Sequence, residues 1–345
     1  MKRFLPKFIT LFAIIFGTIA IYYFCIDPHV TKDLSGMRKL PVGHAYADSI
    51  HKLYPIDTTL VILWKEGMII PPKSVLVFGD SFSNRTEKNQ QDAGSENSWT
   101  HFTAMEIDKP VINIRNYRCE SPEKLFVCAL EQGLIPDSCI IVIETVERHL
   151  ILRLSAPLRD EEYWGTYIEG LHKADSIQLP KKKNKDWLAE TTVFLRFRMG
   201  RDCPTHKFHL SQPCFSHSRY EYDLYSFYED EEHIHPNPTL VVPQMQSSID
   251  SLFLMARQHN ITLFYMIAVD KYDVYEPFIV GKHKKNHLLE YFPSNDSIIN
   301  TKEVLLPYIQ SGVKDVYRID DTHWSPIGSK IIGEEMAKRI RILNH

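Results

Sequence analysis

Four apolar residues in a row, Val75 to Phe78, run straight into Gly79, Asp80 and Ser81. The same rhythm recurs downstream, as short apolar runs stopped by turn residues alternate with stretches of helical spacing. SVLVFG (74–79) predicts a first buried strand. SENSWTHFTAMEI (95–107) predicts a helix with Trp99, Phe102 and Met105 on one face and Ser95 or Asn97 as cap. PVINI (110–114) reads as a strand, and SPEKLFVCALEQG (121–133) as a helix capped by Ser121, with Pro122 first and Gly133 at its end. SCIIVIETV (138–146) is a third strand. PQMQSSIDSLFLMARQHN (243–260) places Met245, Ile249, Leu252, Phe253 and Ala256 at helical spacing, ITLFYMIAVD (261–270) is a fourth strand and VKDVYRID (313–320) a fifth. A last helix starts at Pro326, capped by Ser325. Apolar strands without alternation, separated by helices, predict an α/β fold with a mainly parallel five-stranded sheet covered on both faces. In such sheets ligands bind beyond the carboxyl ends of the strands. Ser81, Asp270, Asp320 and Asp321 all stand at that edge.

Two regions break the rhythm. Residues 155–240, rich in charge, Tyr and His, read as a long insertion between the third and fourth strands, in which KKKNK (181–185) is a solvated loop or a surface for an anionic glycan. At the other end, Lys2, Arg3 and Lys7 precede an uncharged apolar run, Phe8 to Cys25, just long enough to span a bilayer and not followed by a small-x-small cleavage pattern. The expected organisation is a cytoplasmic tail (1–7), a transmembrane signal anchor (8–25), a lead-in segment (26–70) and one α/β domain (71–341). Cations ahead of the span hold that end in the cytoplasm and put the body of the protein outside.

Composition adds exclusions. The chain has 345 residues and a formal net charge of -3, so it carries no basic footprint for nucleic acid. Six cysteines are too few for a disulfide scaffold. Cys119, Cys128 and Cys139 lie in apolar or helical surroundings and read as packed thiols. Cys203 and Cys214 flank a polar loop, where a location outside the cytoplasm permits a bridge. His206, His209, His217, His233 and His235, with those two cysteines, match no compact zinc spacing, so neither a metal nor another cofactor is expected.

The chemistry rests on two stretches far apart in the chain. FGDSFS (78–83) presents Ser81 at the end of a strand. YRIDDTHWSPIG (317–328) places His323 on a short loop between a strand and a helix, beside two aspartates. A serine, a histidine to take its proton and a carboxylate to orient the imidazole form a nucleophilic triad. Asp321 and Asp320 both stand at usable spacing for the third role. Trp324, next to the base, reads either as a core plug or as a sugar platform. VDKYDVY (269–275) reads either as a loop with a solvated Asp270–Lys271 pair or as a wall of a substrate groove.

FGDSFS and DDTHWSPIG resemble the first and last blocks of the SGNH (GDSL-type) hydrolase superfamily. DTHW, MIAVDKYDVY and ETVERHL look more like its alginate O-acetyltransferase branch, over about residues 70–340. Unlike the alginate proteins, this chain places its Asp-x-His after the serine. The resemblance implies a three-layer α/β/α sandwich of SGNH/flavodoxin-like type, with Ser81 as nucleophile, His323 as base and Asp321 as orienting acid. The DTHW form favours Asp321 over Asp320. It also implies O-acetyl transfer onto a polysaccharide outside the cytoplasm of a bacterium, with the domain in the periplasm and a membrane-bound O-acyltransferase as donor partner. An O-acetyl esterase with the same triad and a non-catalytic glycan-binding assembly factor are the alternatives. The family's oxyanion glycine and asparagine are not matched, since Arg118 stands at the glycine position and ETVERH lacks Gly-x-Asn-Asp. Asn116, the Ser81 N–H and Arg148 are candidate donors, Arg148 alternatively pairing with Glu144 or Glu147. Asp270, Lys271, Tyr272 and Tyr275 become candidates for holding the sugar.

Overall fold

The computed structural model describes Tyr54 and residues 58–83, 98–114, 121–159, 163–176, 205–218, 220–319 and 321–343, with a helical fragment at Thr10, Phe12 and residues 14–17. Among the described residues no helix is long and apolar enough to cross a membrane. Most of the expected anchor, 8–25, lies outside them.

The chain forms a mixed α/β fold whose main sheet, six-stranded among the described residues, is parallel and flanked by helices. In chain order its elements are strands β1 (Val61–Leu63) and β2 (Val75–Phe78), helix α1 (Trp99–Ile107), β3 (Val111–Ile114), α2 (Pro122–Glu131), β4 (Ile140–Val146), α3 (Glu147–Ser155) and α4 (Tyr163–Ser176). There follow β5 (Thr205–His209), β6 (Asp223–Phe227), α5 (Tyr228–Glu232), α6 (Val242–Gln258), β7 (Thr262–Ala268), α7 (Lys271–Tyr275), β8 (Ile298–Asn300), α8 (Thr301–Gln310) and α9 (Pro326–Leu343).

The sheet order is β1-β3-β2-β4-β7-β8. From β2 the chain moves out to β3, then crosses back to β4 and continues outward through β7 to β8. Right-handed crossovers in opposite directions put α1 and α2 on opposite faces of the sheet. The reversal also opens a crevice beyond the carboxyl ends of β2 and β4, where doubly wound sheets hold ligands. Leu76, Val77 and Phe78 of β2 and Ile141, Val142 and Ile143 of β4 are wholly buried, which explains why these strands show no polar alternation. Helix ends follow their local chemistry too. Ser121 Oγ accepts the Lys124 N–H at 3.2 Å, and Gly133 takes a positive φ of 66° just past the end of α2. The α1 cap is Ser98, not Ser95 or Asn97, and its side chain makes no capping bond.

Two expectations about the sheet are corrected. VKDVYRID does not join it. Residues 316–319 and 321–325 instead pair with each other through the Tyr317–Trp324 bridge and the Ser325 N–H to Val316 O bond of 3.0 Å. The position beside β7 is taken by β8, too short at three residues to stand out in the sequence. β1 lies in the segment read as a lead-in and pairs with β3. The insertion, for its part, contributes to the core. β5 and β6 form an antiparallel ribbon, and Leu210, Phe215 and Leu224 are fully buried.

Candidate active site

β2 delivers Ser81 to the crevice, and the turn that follows is stapled from behind. Asp80 is buried; its Oδ1 accepts the Phe82 N–H at 3.2 Å, and its Oδ2 accepts the Val146 N–H at 3.0 Å and Arg153 Nη1 at 3.1 Å. The carboxylate therefore ties the nucleophile turn to the end of β4 and to α3. Glu144, wholly buried on β4, accepts the Asp80 N–H at 3.0 Å and the Ser83 hydroxyl at 2.7 Å, both on Oε2. Trp99 Nε1 donates to Ser83 Oγ at 3.1 Å and Asn113 Nδ2 to Ser83 O at 3.2 Å.

This carboxyl pair has divided its states. Burial acts to raise the Asp80 pKa, but the Arg153 cation and the bonds from Glu144 and the Phe82 N–H outweigh it and hold Asp80 below the usual range. Burial, then the charge of Asp80, pushes Glu144 well above it. The opposite shifts favour the charge on Asp80 and the proton on Glu144. Gly79 is required by this close packing, because a Cβ there would lie 2.4 Å from Ser83 Oγ and 2.7 Å from Glu144 Oε2.

From the far end of the chain, the hairpin 316–325 brings His323 to the same crevice. Its Nε2 is 2.7 Å from Ser81 Oγ, and its Nδ1 is 2.6 Å from Asp321 Oδ1. The same carboxylate oxygen accepts the His323 backbone N–H at 2.9 Å. The Phe82 ring lies 4.8 Å from the imidazole and 4.6 Å from Trp324, closing one side of the base. Ser81 is exposed whereas Asp321 is 6% exposed, so the nucleophile faces solvent and its relay runs inward. Such a set can take a proton from a serine hydroxyl, hold it on Nε2 and return it to a leaving group.

The other sequence candidates fall elsewhere. Asn116, Arg118, Asp320 and Cys203 lie outside the described residues. Arg148 pairs with neither Glu144 nor Glu147; it meets Asp270 in a short contact and lies 3.5 Å from Asp230. Asp270, Lys271, Tyr272 and Tyr275 are buried and offer no groove wall, and Lys271 and Tyr275 back the hairpin. Lys271 Nζ bonds backbone carbonyls of the hairpin, Tyr272 OH donates to Lys284 O at 2.7 Å, and Tyr275 OH receives the Tyr317 N–H at 3.4 Å. Trp324 is the plug: it is 3% exposed and its indole N–H donates to Tyr317 OH at 2.8 Å.

Glu147, Asp230, Asp270 and Asp273 crowd behind this layer, and burial raises the pKa of each. Burial outweighs even the Arg148 contact at Asp270. Asn286 Nδ2 donates to Glu147 Oε1 at 2.6 Å, and Lys302 Nζ lies 3.1 Å from Asp273. Cys214 is a buried free thiol, its pKa pushed to about 11 chiefly by burial, and shows no bridge of the kind expected with Cys203. No grouping of His, Cys, Asp and Glu suited to a metal ion occurs among the described residues.

Sequence reasoning named the triad but missed Arg153, Ser83 and the bonds of Glu144 to the nucleophile turn. A charged residue inside an apolar strand, as at Glu144 in CIIVIETV, was the available signal, since an unpaired carboxylate is not left in a core. Comparison with known protein families, with curated proteins and with solved structures finds no match to this chain.

Proposed function

We propose that the chain is a serine acyltransferase that moves acetyl groups onto a polysaccharide. The observation carrying this reading is the continuous relay from Ser81 Oγ through His323 to Asp321, with contacts of 2.7 and 2.6 Å. Ser81 Oγ attacks the acyl carbonyl while His323 Nε2 takes the hydroxyl proton. The proton passes to the departing group of the donor, leaving an ester on Ser81. His323 then takes the proton of a sugar hydroxyl, whose oxygen forms the new ester, and returns it to Ser81. Water competes for the same intermediate. An oriented hydroxyl can be worth an effective molarity of about 10⁵ M, enough to outrun bulk water.

The strand order, with its reversal between β2 and β4, supports the finer reading as a three-layer α/β/α sandwich of SGNH type with an added edge strand, β1. Anchoring through residues 8–25, periplasmic placement and a membrane-bound O-acyltransferase donor belong to the same proposal and rest on the sequence. The second reading is an O-acetyl esterase, which the exposure of Ser81 favours because water reaches it freely.

The test is acetyl partition. Wild-type protein given an activated acetyl ester and candidate bacterial polysaccharides is expected to acetylate sugar faster than it releases acetate. Release of acetate alone, whatever glycan is offered, establishes the esterase. Glycan binding without any acylation of Ser81 establishes the assembly factor.

A further inference from the structure

Lys271 opens α7 and has no exposed surface. Removing a cation from water is costly unless it is paired and hydrogen-bonded. Its Nζ lies 2.7 Å from the carbonyl oxygen of Arg318, 2.9 Å from that of Ile319 and 3.2 Å from that of Asp321. An ammonium has three N–H donors, and three carbonyls receive them; a neutral amine would be one donor short. The face of the Phe215 ring stands over the ammonium at 5.4 Å.

All three acceptors belong to the hairpin that carries the base, and the last is the backbone of Asp321 itself. Tyr317 is held separately, its N–H bonding Tyr275 OH at 3.4 Å and its hydroxyl bonding Val269 O. The hairpin's own ladder at the Tyr317–Trp324 bridge consists of two bonds, the Arg318 N–H to His323 O at 3.2 Å and the Ser325 N–H to Val316 O at 3.0 Å. Carbonyls buried in an irregular turn need donors from outside it. We infer that Lys271 is a positioning residue for the base, a buried cation that clamps Arg318, Ile319 and Asp321 and thereby sets Asp321 under the imidazole of His323. The inference rests on the Ser81–His323–Asp321 reading of the site.

Other ionisable groups surround the clamp on every side. Asp270 and Asp273 flank it in sequence, Glu147 and Arg148 come from the start of α3, Asp230 from α5 and Lys302 from α8. Arg318 and Asp321 come from the hairpin. The charge of Lys271 acts to lower the pKa of Asp230, against the burial that raises it.

The test uses full-length protein, p-nitrophenyl acetate and a fluorophosphonate that labels activated serines. Lys271→Met keeps an unbranched side chain and removes the donors. Expected are a fall in kcat of about 10- to 100-fold with KM nearly unchanged, and an equal slowing of Ser81 labelling. The acid limb of the kcat/KM profile moves to lower pH, because an imidazolium without its aligned carboxylate is less favoured. Lys271→Gln, which keeps two donors, recovers part of each effect. A folded Lys271→Met protein with a lowered Tm but wild-type kcat, labelling rate and pH limb overturns the inference. Should that variant not fold, Lys271→Gln carries the same comparison. Nitrogen-15 NMR of wild-type lysine side chains adds a test without mutation: a slowly exchanging ammonium supports the clamp, and exchange at the solvent rate overturns it. If Ser81→Ala is labelled and turns over like wild type, the triad reading itself fails and takes this inference with it.

Discussion

One oxygen of Asp321 holds His323 twice, accepting its backbone N–H at 2.9 Å and its ring Nδ1 at 2.6 Å. The carboxylate thus fixes both the turn that presents the base and the tautomer that leaves Nε2 free to face Ser81. An amide in its place keeps an accepting oxygen but loses the charge that stabilises the imidazolium, and it turns a donor toward the ring when flipped. Asp321→Asn is expected to fold and to lose about 10³- to 10⁴-fold in turnover of an activated acetyl ester. Ser81→Ala and His323→Ala are expected to lose at least as much. Asp320→Ala should be milder; a larger loss there than at Asp321 would move the orienting role.

Glu144 sits on the opposite side of the nucleophile, and its role depends on its proton. Because its folded pKa is raised, the stability it contributes is complete below the ordinary glutamate value and is lost as pH rises from there through the folded value. Within that window the unfolded state has released a proton that the folded state keeps, at about 1.4 kcal/mol per pH unit. Glu144→Gln supplies the neutral acceptor without the titration. It is expected to match wild type in stability near pH 4 and to exceed it at pH 7, with activity retained. Denaturant melts at the two pH values decide this; equal stability differences at both would refute a protonated Glu144.

Gly79 and Gly133 separate two uses of glycine. At Gly133 the φ of 66° is the constraint, and nothing lies within 4 Å of a built Cβ. Gly133→Ala should cost about 1 kcal/mol of stability and leave specific activity intact. At Gly79 the constraint is space, since Ser83 and Glu144 are already in the way. Gly79→Ala must displace the strand end that carries Ser81, so it should lose about 1–3 kcal/mol and most of its activity. Thermal melts beside ester turnover rates distinguish the two.

Much of this arrangement was legible in the sequence. The strands that can be read, β2, β3, β4 and β7, are buried on both faces and so appear as unbroken apolar runs. β1 and β8 have three residues each, too few for any period to emerge, and β8 is set by pairing with Tyr265–Ile267. VYRID has the apolar content of a strand, but the carbonyls of Arg318 and Ile319 meet Lys271 and the return arm takes the Val316 carbonyl, a choice made by tertiary contacts that no local pattern encodes. Ser81 was readable because it stands next to turn residues at a strand end, and His323 and Asp321 because they stand in a turn just ahead of the Ser325-capped helix. Asp270, Lys271 and Tyr272 were misread as surface for a related reason: charge in a post-strand loop usually means solvent, and here it means a buried lysine meeting three carbonyls.

The N-terminal segment makes a prediction independent of the site. With Lys2, Arg3 and Lys7 before the apolar run, an alkaline phosphatase fused after Asp33 should be active and a cytoplasmic fluorophore fused there dark. The reverse pattern would remove the periplasmic assignment and, with it, the access to exported glycan on which the transferase proposal depends.

Trp324 discriminates between sugar recognition and support of the base. Its indole N–H donates to Tyr317 OH at 2.8 Å, and Tyr317 OH in turn donates to Val269 O at the end of β7. The chain of bonds links the hairpin to the sheet, while the indole face packs on Phe82 beside the nucleophile. Trp324→Phe keeps most of the packing and removes the donor. It should lower stability by about 1 kcal/mol, the net value of a buried hydrogen bond, and leave the apparent affinity for polysaccharide unchanged. Trp324→Ala opens a cavity and should cost about 3–5 kcal/mol, with kcat falling as His323 loses its support. A sugar platform predicts the opposite division. KM for the glycan would rise in both variants while turnover of p-nitrophenyl acetate, which has no sugar to stack, stayed at the wild-type rate. Measuring both substrates on both variants settles whether the tryptophan serves the base or the acceptor.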